Sequence, residues 1–452
     1  MNEQMKKKSN FRWFVLALIF CIYMIAGADR SNIGMVVPYI QESFHMSNTD
    51  IGAMASFFYI TYAIVQIPSG HLYGKRGVRK LYSLSIILTS LATFIMGFAN
   101  SALHLKFARA LLGFSEGPIN IGSLTTINRW FPAKEKGIAT GVFMASIKFA
   151  PAFVPPVCAW IILMYGWREV FYIFAVPGTL FAVLWWLFVK DNPKDSRFVN
   201  QAELAYINNP TVAASKEVKK TETGTIRYDK RIDRFIRTRI VKPLATNAEV
   251  LRSWNIWACA LGYFFLVGIT YTIMTWIPTY LVHVKHFSII KVGLVAAAPW
   301  VGAVVGNLLG GIVSDKVFES RRKPNMLITA VSTVVSTVVL MYSLLYAPSD
   351  PTALGLILLM AGIFLNFGYS MFLAYPMGIT TKEKCPFAAS IVNTAGSLGG
   401  AFAPFAVGMI LDAFSWDAVF VFLAAISMIT FILVMTMIEP ISASEHAAAQ
   451  NK

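Results

Sequence analysis

Apolar residues fall along the chain in runs of about 20, the length of helix that crosses the hydrocarbon of a bilayer, with polar stretches separating them. Such runs can be placed near residues 13–38, 51–71, 80–99, 103–128, 138–163 and 168–189, and again near 254–282, 290–314, 325–346, 353–378, 386–411 and 416–438. Backbone in lipid must satisfy its hydrogen bonds internally, so runs of this length predict helices. The pattern predicts an all-α membrane protein of twelve transmembrane helices in two six-helix halves: an N-terminal bundle over 1–189, a linker over 190–252, a C-terminal bundle over 253–440 and a tail over 441–452.

The linker is too polar for membrane and too long for a tight turn. Within it, Ile232, Phe235, Ile236 and Ile240 stand at helical spacing with arginines between them. That suits a basic helix lying on an anionic leaflet, and equally a solvated charged helix.

Composition agrees with the pattern. The chain of 452 residues is 56% hydrophobic and only 14% charged, against about 25% charged in soluble domains, and its mean hydropathy is +0.59. Cytoplasmic loops retain an excess of Lys and Arg. Lys6, Lys7 and Lys8 before the first run, Lys75, Arg76, Arg79 and Lys80 after the second, and Lys316, Arg321, Arg322 and Lys323 after the eighth belong on one side. Both termini are therefore expected in the cytoplasm, and this bias accounts for the net charge of +16 without nucleic acid as a partner.

The first run is too long for a cleaved signal peptide and lacks a small-residue cleavage site, so it is expected to remain as helix one. Cys21, Cys158, Cys259 and Cys385 are scattered, with neither metal-ligand spacing nor a disulfide pattern. No nucleotide-binding loop, nucleophile elbow or dinucleotide fingerprint is present. No cofactor, metal or enzymatic activity is expected, and transport would have to run on a gradient.

Charge inside the apolar runs changes the picture most. The first run holds Asp29 and Arg30, the fourth holds Arg109 and Glu116, and the fifth holds Lys148. An ionisable side chain at that depth costs about 2.5–3.5 kcal/mol even on lenient scales, and by default it marks a substrate or proton path. Arg109 and Glu116, seven apart, share a helix face about 10 Å apart along the axis, whereas Asp29 and Arg30 point roughly 100° apart and can serve different neighbours. A cavity lined by helices one, four and five would hold two acids and three bases. With both acids ionised its charge is near +1; with both protonated it approaches +3 and receives a carboxylate better. Protonation and anion binding therefore favour one another, the logic of anion–proton symport. Arg grips a planar carboxylate through two parallel hydrogen bonds, which Lys cannot do.

Plainer readings stand beside these. Arg30 with Glu116 could only fasten helices, Lys148 could snorkel or face protein, and Arg109 could be an entry charge near a mouth. Tyr62, Gln66, Asn120, Tyr369, Tyr375 and Asn393 could bond a polyhydroxy substrate or could join helices.

Two loops carry a weak repeat: Gly70-x3-Gly74-Lys75-Arg76-Gly77-x-Arg79-Lys80 after the second run, and Gly311-x3-Asp315-Lys316 followed by Arg321-Arg322-Lys323 after the eighth. They resemble the loop signature of the major facilitator superfamily, whose fold repeats six-helix units. The first copy has Gly74 where that signature has an acid. In the superfamily the acid helps latch the cytoplasmic side, so the resemblance makes Gly70, Arg76 and Asp315 gating-loop candidates.

Asp29-Arg30-Ser-Asn-Ile, Arg109-x6-Glu116-Gly-Pro, Trp130-Phe131-Pro132-x2-Glu135 and Asn393-x2-Gly396-x2-Gly399-Gly400 together resemble the anion:cation symporter family of that superfamily. The pattern is closest to bacterial permeases for galactonate, glucarate and hexuronates. The resemblance implies that Asp29 and Glu116 take protons and that Arg30 pairs with Glu116 until that acid is protonated. It implies binding or gating for Arg109, Tyr62 and Asn393. Lys148 departs from the family pattern and would suit a more anionic substrate, such as a dianionic sugar acid; Tyr375 is a further binding candidate. The expected protein is a monomeric inner-membrane importer that couples protons to a small organic anion, a sugar acid of the aldonate, aldarate or hexuronate class, with lipid as its only other partner. An anion antiporter or exporter of the same fold, or a transporter-like ligand sensor, is the alternative.

Overall fold

Each of the twelve apolar runs is helical in the computed structural model, which describes residues 8–208, 236–318, 321–346, 350–381 and 383–441. The first six are α1 (Phe11–Phe44), α2 (Asn48–Arg76), α3 (Arg79–Gly97), α4 (Ala102–Trp130), α5 (Ala133–Tyr165) and α6 (Trp167–Phe188), followed by a short α7 (Gln201–Asn208). After strand β1 (Thr238–Ile240) and α8 (Asn247–Arg252) come α9 (Trp254–His283), α10 (Ile289–Lys316) and α11 (Lys323–Tyr346). The tenth run is α12 (Pro351–Phe367), α13 (Tyr369–Ala374) and α14 (Pro376–Ile379), and α15 (Cys385–Ala413), α16 (Trp416–Thr436) and strand β2 (Glu439–Ile441) finish the chain. Among the described residues eleven helices are long and apolar enough to cross a membrane. The twelfth, α4, is 29 residues long, and Lys106, Arg109, Glu116 and Arg129 lower its hydropathy.

The tenth run differs from the unbroken helix expected over 353–378. It breaks at Gly368, whose N–H donates to Thr329 Oγ1 at 2.5 Å, and again at Pro376, which has no N–H to continue a helix.

The chain packs into two compact units. The first comprises 1–33, 60–154 and 160–222; the second comprises 34–59, 155–159 and 223–452. Unit one is centred on a buried aromatic and aliphatic cluster that includes Tyr23, Tyr73, Tyr82, Trp130, Phe143 and Trp185. Unit two relies on close backbone approach. Gly302, Gly306 and Gly310 stand at four-residue spacing on α10, and a Cβ at any of them would strike the carbonyls of Leu359, Ile363 or Phe367 on α12. Small residues at this spacing let helices in lipid gain dispersion contacts that larger side chains would prevent.

The described parts of the linker are folded onto the units. In unit one Glu203 of α7 accepts from the first amides of α1, Phe11 N–H at 3.0 Å and Arg12 N–H at 3.2 Å, and from Ser9 Oγ. Arg12 then bridges Glu203 at 2.9 Å and Glu135 at 2.7 Å. In unit two β1 pairs in parallel with β2, Thr238 opposite Glu439 and Ile240 opposite Ile441. The basic stretch expected to be helical is thus a turn and a strand from Ile236 onward. Buried Ile236 anchors it, and β-branched Thr238 and Ile240 suit a strand; residues 231–235 lie outside the described residues.

Each set of six closes with the same device. Asp191, just past α6, accepts from Val78 N–H at 2.5 Å and Arg79 N–H at 2.8 Å at the start of α3. Arg79 returns its guanidinium to Trp186 O at 3.0 and 2.7 Å. Past α16, Glu439 accepts from Arg322 N–H at 3.3 Å and Lys323 N–H at 2.6 Å at the start of α11, and Lys323 Nζ donates to Met435 O at 3.2 Å and Met437 O at 2.5 Å. An acid on orphan amides and a base on orphan carbonyls satisfy both helix ends and oppose both dipoles. Sequence reasoning singled out the loop bases and missed these two acids, which lie more than a hundred residues away from them.

Candidate substrate and proton site

The buried charges of unit one gather around the middle of α1. Asp29, Arg30, Ser31 and Asn32 are all buried, an arrangement α1 tolerates because each polar group has a local use. Ser31 Oγ donates back to Gly27 O at 2.9 Å, the usual way a helix hides a hydroxyl. Asn32 Nδ2 reaches Asp29 Oδ1 at 3.5 Å.

Two glycines set the helices around this run. At Gly117, directly after Glu116, a Cβ would lie 2.8 Å from Tyr62 O, so α4 meets α2 without a side chain between them. At Gly27 a Cβ would lie 3.1 Å from Ala150 Cβ and 3.5 Å from Ile147 O, so α5 presses on α1 just before Asp29. Lys148, next to Ile147, is half-buried at that level.

Arg30 and Glu116 form an ion pair. Arg30 Nε donates to Glu116 Oε1 at 2.5 Å, and Nη2 approaches the same oxygen. Glu116 is fully buried, yet its Oε2 has no hydrogen-bond partner among the described residues. The pair is therefore lopsided: one carboxylate oxygen takes both contacts and the other takes none among the described residues. Asp29 is in a different situation. Its backbone carbonyl accepts from Arg109 Nη1 at 3.2 Å, which joins α4 to α1 a second time. That contact uses the Asp29 backbone; its carboxylate meets Asn32 on α1 while the Arg30 side chain reaches Glu116 on α4, so the two side chains, offset by about 100°, have separate partners.

Aromatic rings complete the surroundings. The Arg30 guanidinium carbon lies 4.8 Å from the centre of the Tyr62 ring and 5.7 Å from that of Tyr23. The two tyrosine hydroxyls are 3.4 Å apart. Sequence reasoning singled out Tyr62 but not Tyr23, although Tyr23 stands seven residues before Arg30 and so shares its helix face.

The structure brings Asp29, Arg30, Tyr62, Arg109 and Glu116 together in unit one, with Lys148 on the adjoining helix. Asn393, half-buried on α15, and Tyr375 belong to unit two. Tyr375 is wholly buried and its hydroxyl donates to Ile438 O at 2.7 Å, beyond the last turn of α16. That bond ties Tyr375 to the helix-end device of unit two. Gly70 is exposed on α2, with Ile121 Cγ2 4.0 Å from where its Cβ would be. Arg76 and Asp315 are near the ends of α2 and α10, and their side chains lie outside the described residues.

The chain resembles known transporters along nearly its whole length. The chain is 27% identical to the "Probable galactarate/D-glucarate transporter GarP" of Escherichia coli (strain K12), over 96% of each chain. It is 28% identical to the "Probable galactarate/D-glucarate transporter GudP" of Bacillus subtilis (strain 168), over 96% of this chain and 93% of that one. It is 26% identical to the D-galactonate transporter of Escherichia coli O6:H1, over 94% of each. A solved bacterial homolog to the human lysosomal transporter Spinster, titled as inward-facing and occupied, has the same fold, with a TM-score of 0.73 at 17% identity over 98% of this chain and 97% of that one. The Major Facilitator Superfamily model matches residues 19–332 and 286–451, and the chain belongs to that superfamily of membrane transporters.

Proposed function

We propose that this protein is a proton-coupled symporter that imports a sugar acid across the inner membrane by alternating access, with both termini in the cytoplasm. The observation that carries the reading is the lopsided Arg30–Glu116 pair, buried at the centre of a membrane helix and open to a proton at Oε2. Deprotonated Glu116 occupies Arg30. Protonated Glu116 gives up most of its attraction, and the guanidinium becomes available to a substrate carboxylate, which it can grip in parallel. Asp29, buried and differently partnered, takes a proton of its own. Arg109 and Tyr62 shape the same site, Asn393 is a substrate-binding residue of unit two, and Gly70, Arg76 and Asp315 serve gating.

The substrate class follows from charge and from the relatives' names. Galactarate and D-glucarate carry two carboxylates, galactonate one. Lys148 supplies a second cation at the level of Asp29, which favours the dianionic aldarates; the monomer is complete as a transport unit.

The test is reconstitution of Asp29→Asn and Glu116→Gln, one at a time, into proteoliposomes with radiolabelled D-glucarate. Gradient-driven accumulation is expected to fail in both while counterflow persists. Accumulation at the native level in both variants overturns the coupling. Native uptake indifferent to a pH gradient supports an antiporter instead, and binding without turnover a sensor.

A further inference from the structure

One helical turn beyond the ion pair, two buried amide atoms have no hydrogen-bond partner among the described residues. They are Gln66 Nε2 on α2, a donor, and Asn120 Oδ1 on α4, an acceptor. Covering such atoms takes them out of water with nothing in exchange, so each unpaired one in a folded protein calls for a use. The plain structural use is to pair with each other across the α2–α4 seam. Neither atom does so.

Helical spacing places both beside the site. Asn120 stands four residues after Glu116 and Gln66 four after Tyr62, so each shares a helix face with that residue, about 6 Å further along the axis. The two helices run side by side in the same direction. Thr61 Oγ1 donates to Ala110 O at 2.9 Å, Tyr62 O is 2.8 Å from where a Cβ on Gly117 would be, and Ile121 Cγ2 is 4.0 Å from where a Cβ on Gly70 would be. One turn past Tyr62 is therefore level with one turn past Glu116. Neither residue is sealed in a core: each is half-buried as a whole, although its unpaired atom is covered.

A hydroxyl both donates and accepts. A single substrate hydroxyl can donate to Asn120 Oδ1 and accept from Gln66 Nε2, which satisfies both atoms at once. We propose that Gln66 and Asn120 form a hydroxyl-reading subsite, which binds a chain hydroxyl of the sugar acid whose carboxylate is held at Arg30. This rests on the sugar-acid reading and adds to it the groups that separate a polyhydroxy acid from a bare dicarboxylate. A substrate without the hydroxyl leaves both amides unpaired, and sites built to bond a hydroxyl reject such analogues strongly. Both side chains are neutral, so replacing them with apolar ones leaves the charge of the site as it is.

The test is uptake of radiolabelled D-glucarate into proteoliposomes holding the full-length protein, with unlabelled D-glucarate and adipate as competitors. Adipate is the same six-carbon dicarboxylate without hydroxyls. The native protein is expected to prefer D-glucarate by about a hundredfold. Gln66→Met and Asn120→Leu, close in volume to the native side chains, should each cut that preference by about tenfold. The loss should come from weaker inhibition by D-glucarate, with adipate unchanged within about threefold. Gln66→Ala and Asn120→Ser are a second pair should the first not fold; Asn120→Ser, which keeps an acceptor, should retain part of the preference. Equal weakening of both competitors would mean that these residues act through packing or through the carboxylates, and overturns the subsite. An unchanged preference in both variants also overturns it. A native protein inhibited equally by adipate and D-glucarate reads no hydroxyl, and the subsite falls while anion transport stands. A native protein that does not take up D-glucarate overturns the substrate reading, and the subsite with it.

Discussion

The two units treat buried charge in opposite ways. In unit one the buried charged residues include Asp29, Arg30, Arg109 and Glu116, well inside α1 and α4. In unit two, among the described residues, they are Lys323 and Glu439, both at helix ends. The helix of the second set that corresponds in order to α1 is α9, and its buried polar groups are the neutral Thr270, Thr272, Thr275 and Thr279. What recurs in both sets is the clasp that ties the end of the sixth helix to the start of the third. What does not recur is charge at the membrane's centre. The two sets share their fastenings and differ in where their described buried charge lies, so the proposed proton coupling should fail through unit one and leave unit two structurally sound.

The largest expected effect tests that division at the ion pair. Arg30→Leu alone leaves Glu116 buried beside no cation it can pair with closely, and should cost about 3–5 kcal/mol, enough to remove most folded protein. Arg30→Met combined with Glu116→Leu replaces both charges with apolar groups and should recover most of that stability while abolishing uptake. Thermal melts and uptake on the same preparations check this. A double variant as unstable as the single would mean the charges do more than balance one another.

The next effect lies in the clasps and the α7 anchor, where acids in the two units should respond to pH with opposite sign. Burial alone would raise the Glu203 carboxyl, but hydrogen bonds from Ser9, the Arg12 and Phe11 amides and the Arg12 guanidinium hold it below its ordinary value of 4.5. Its stabilisation is present above that value and is lost as pH falls through the carboxylate range. Glu439 goes the other way: burial outweighs the Lys323 and Arg322 amides and the Arg322 charge and raises its carboxyl above 4.5. Its contribution is present in acid and declines as pH rises through the raised value. Hydrogen exchange, corrected for intrinsic rates, should therefore show amides of α7 and the start of α1 losing protection from pH 6 to 4, while those at the start of α11 hold or gain. Glu439→Gln should also cost more than Asp191→Asn, about 2 against about 1 kcal/mol, since Glu439 is buried and Asp191 only half so. Parallel losses of protection at both ends would erase the contrast.

Much of this was legible in the sequence because its signals are local. Runs of about twenty apolar residues gave the helices, and four ionisable residues embedded in the first and fourth runs gave the centre of the site, since such charge is rare enough to be informative. The same charges make α4 the span that hydropathy alone would miss. What escaped depended on tertiary contact. Asp191 and Glu439 look like ordinary loop acids until α3 and α11 arrive beside them. The stretch from Ile236 has helical spacing, yet the free edge of β2 claims it as a strand. Tyr23 reads as one more interfacial aromatic until Tyr62 and Arg30 close around it.

The smallest effect concerns a substrate candidate that also ties a helix end. Tyr375→Phe removes only a hydroxyl, the one that donates to Ile438 O at 2.7 Å. The carbonyl it leaves is next to Glu439, at unit two's clasp, so the loss should appear as about 1 kcal/mol of stability. If unit two's fastenings are separate from its substrate contacts, the KM for D-glucarate should stay within about twofold while Tm falls by a few degrees. Asn393→Ala, one of the uncharged groups proposed to read the substrate, should do the reverse, raising KM with little change in Tm. A raised KM in Tyr375→Phe would instead mean that the clasp and the substrate path of unit two are one structure, and the contrast with unit one would have to be redrawn around hydroxyl groups as well as charge.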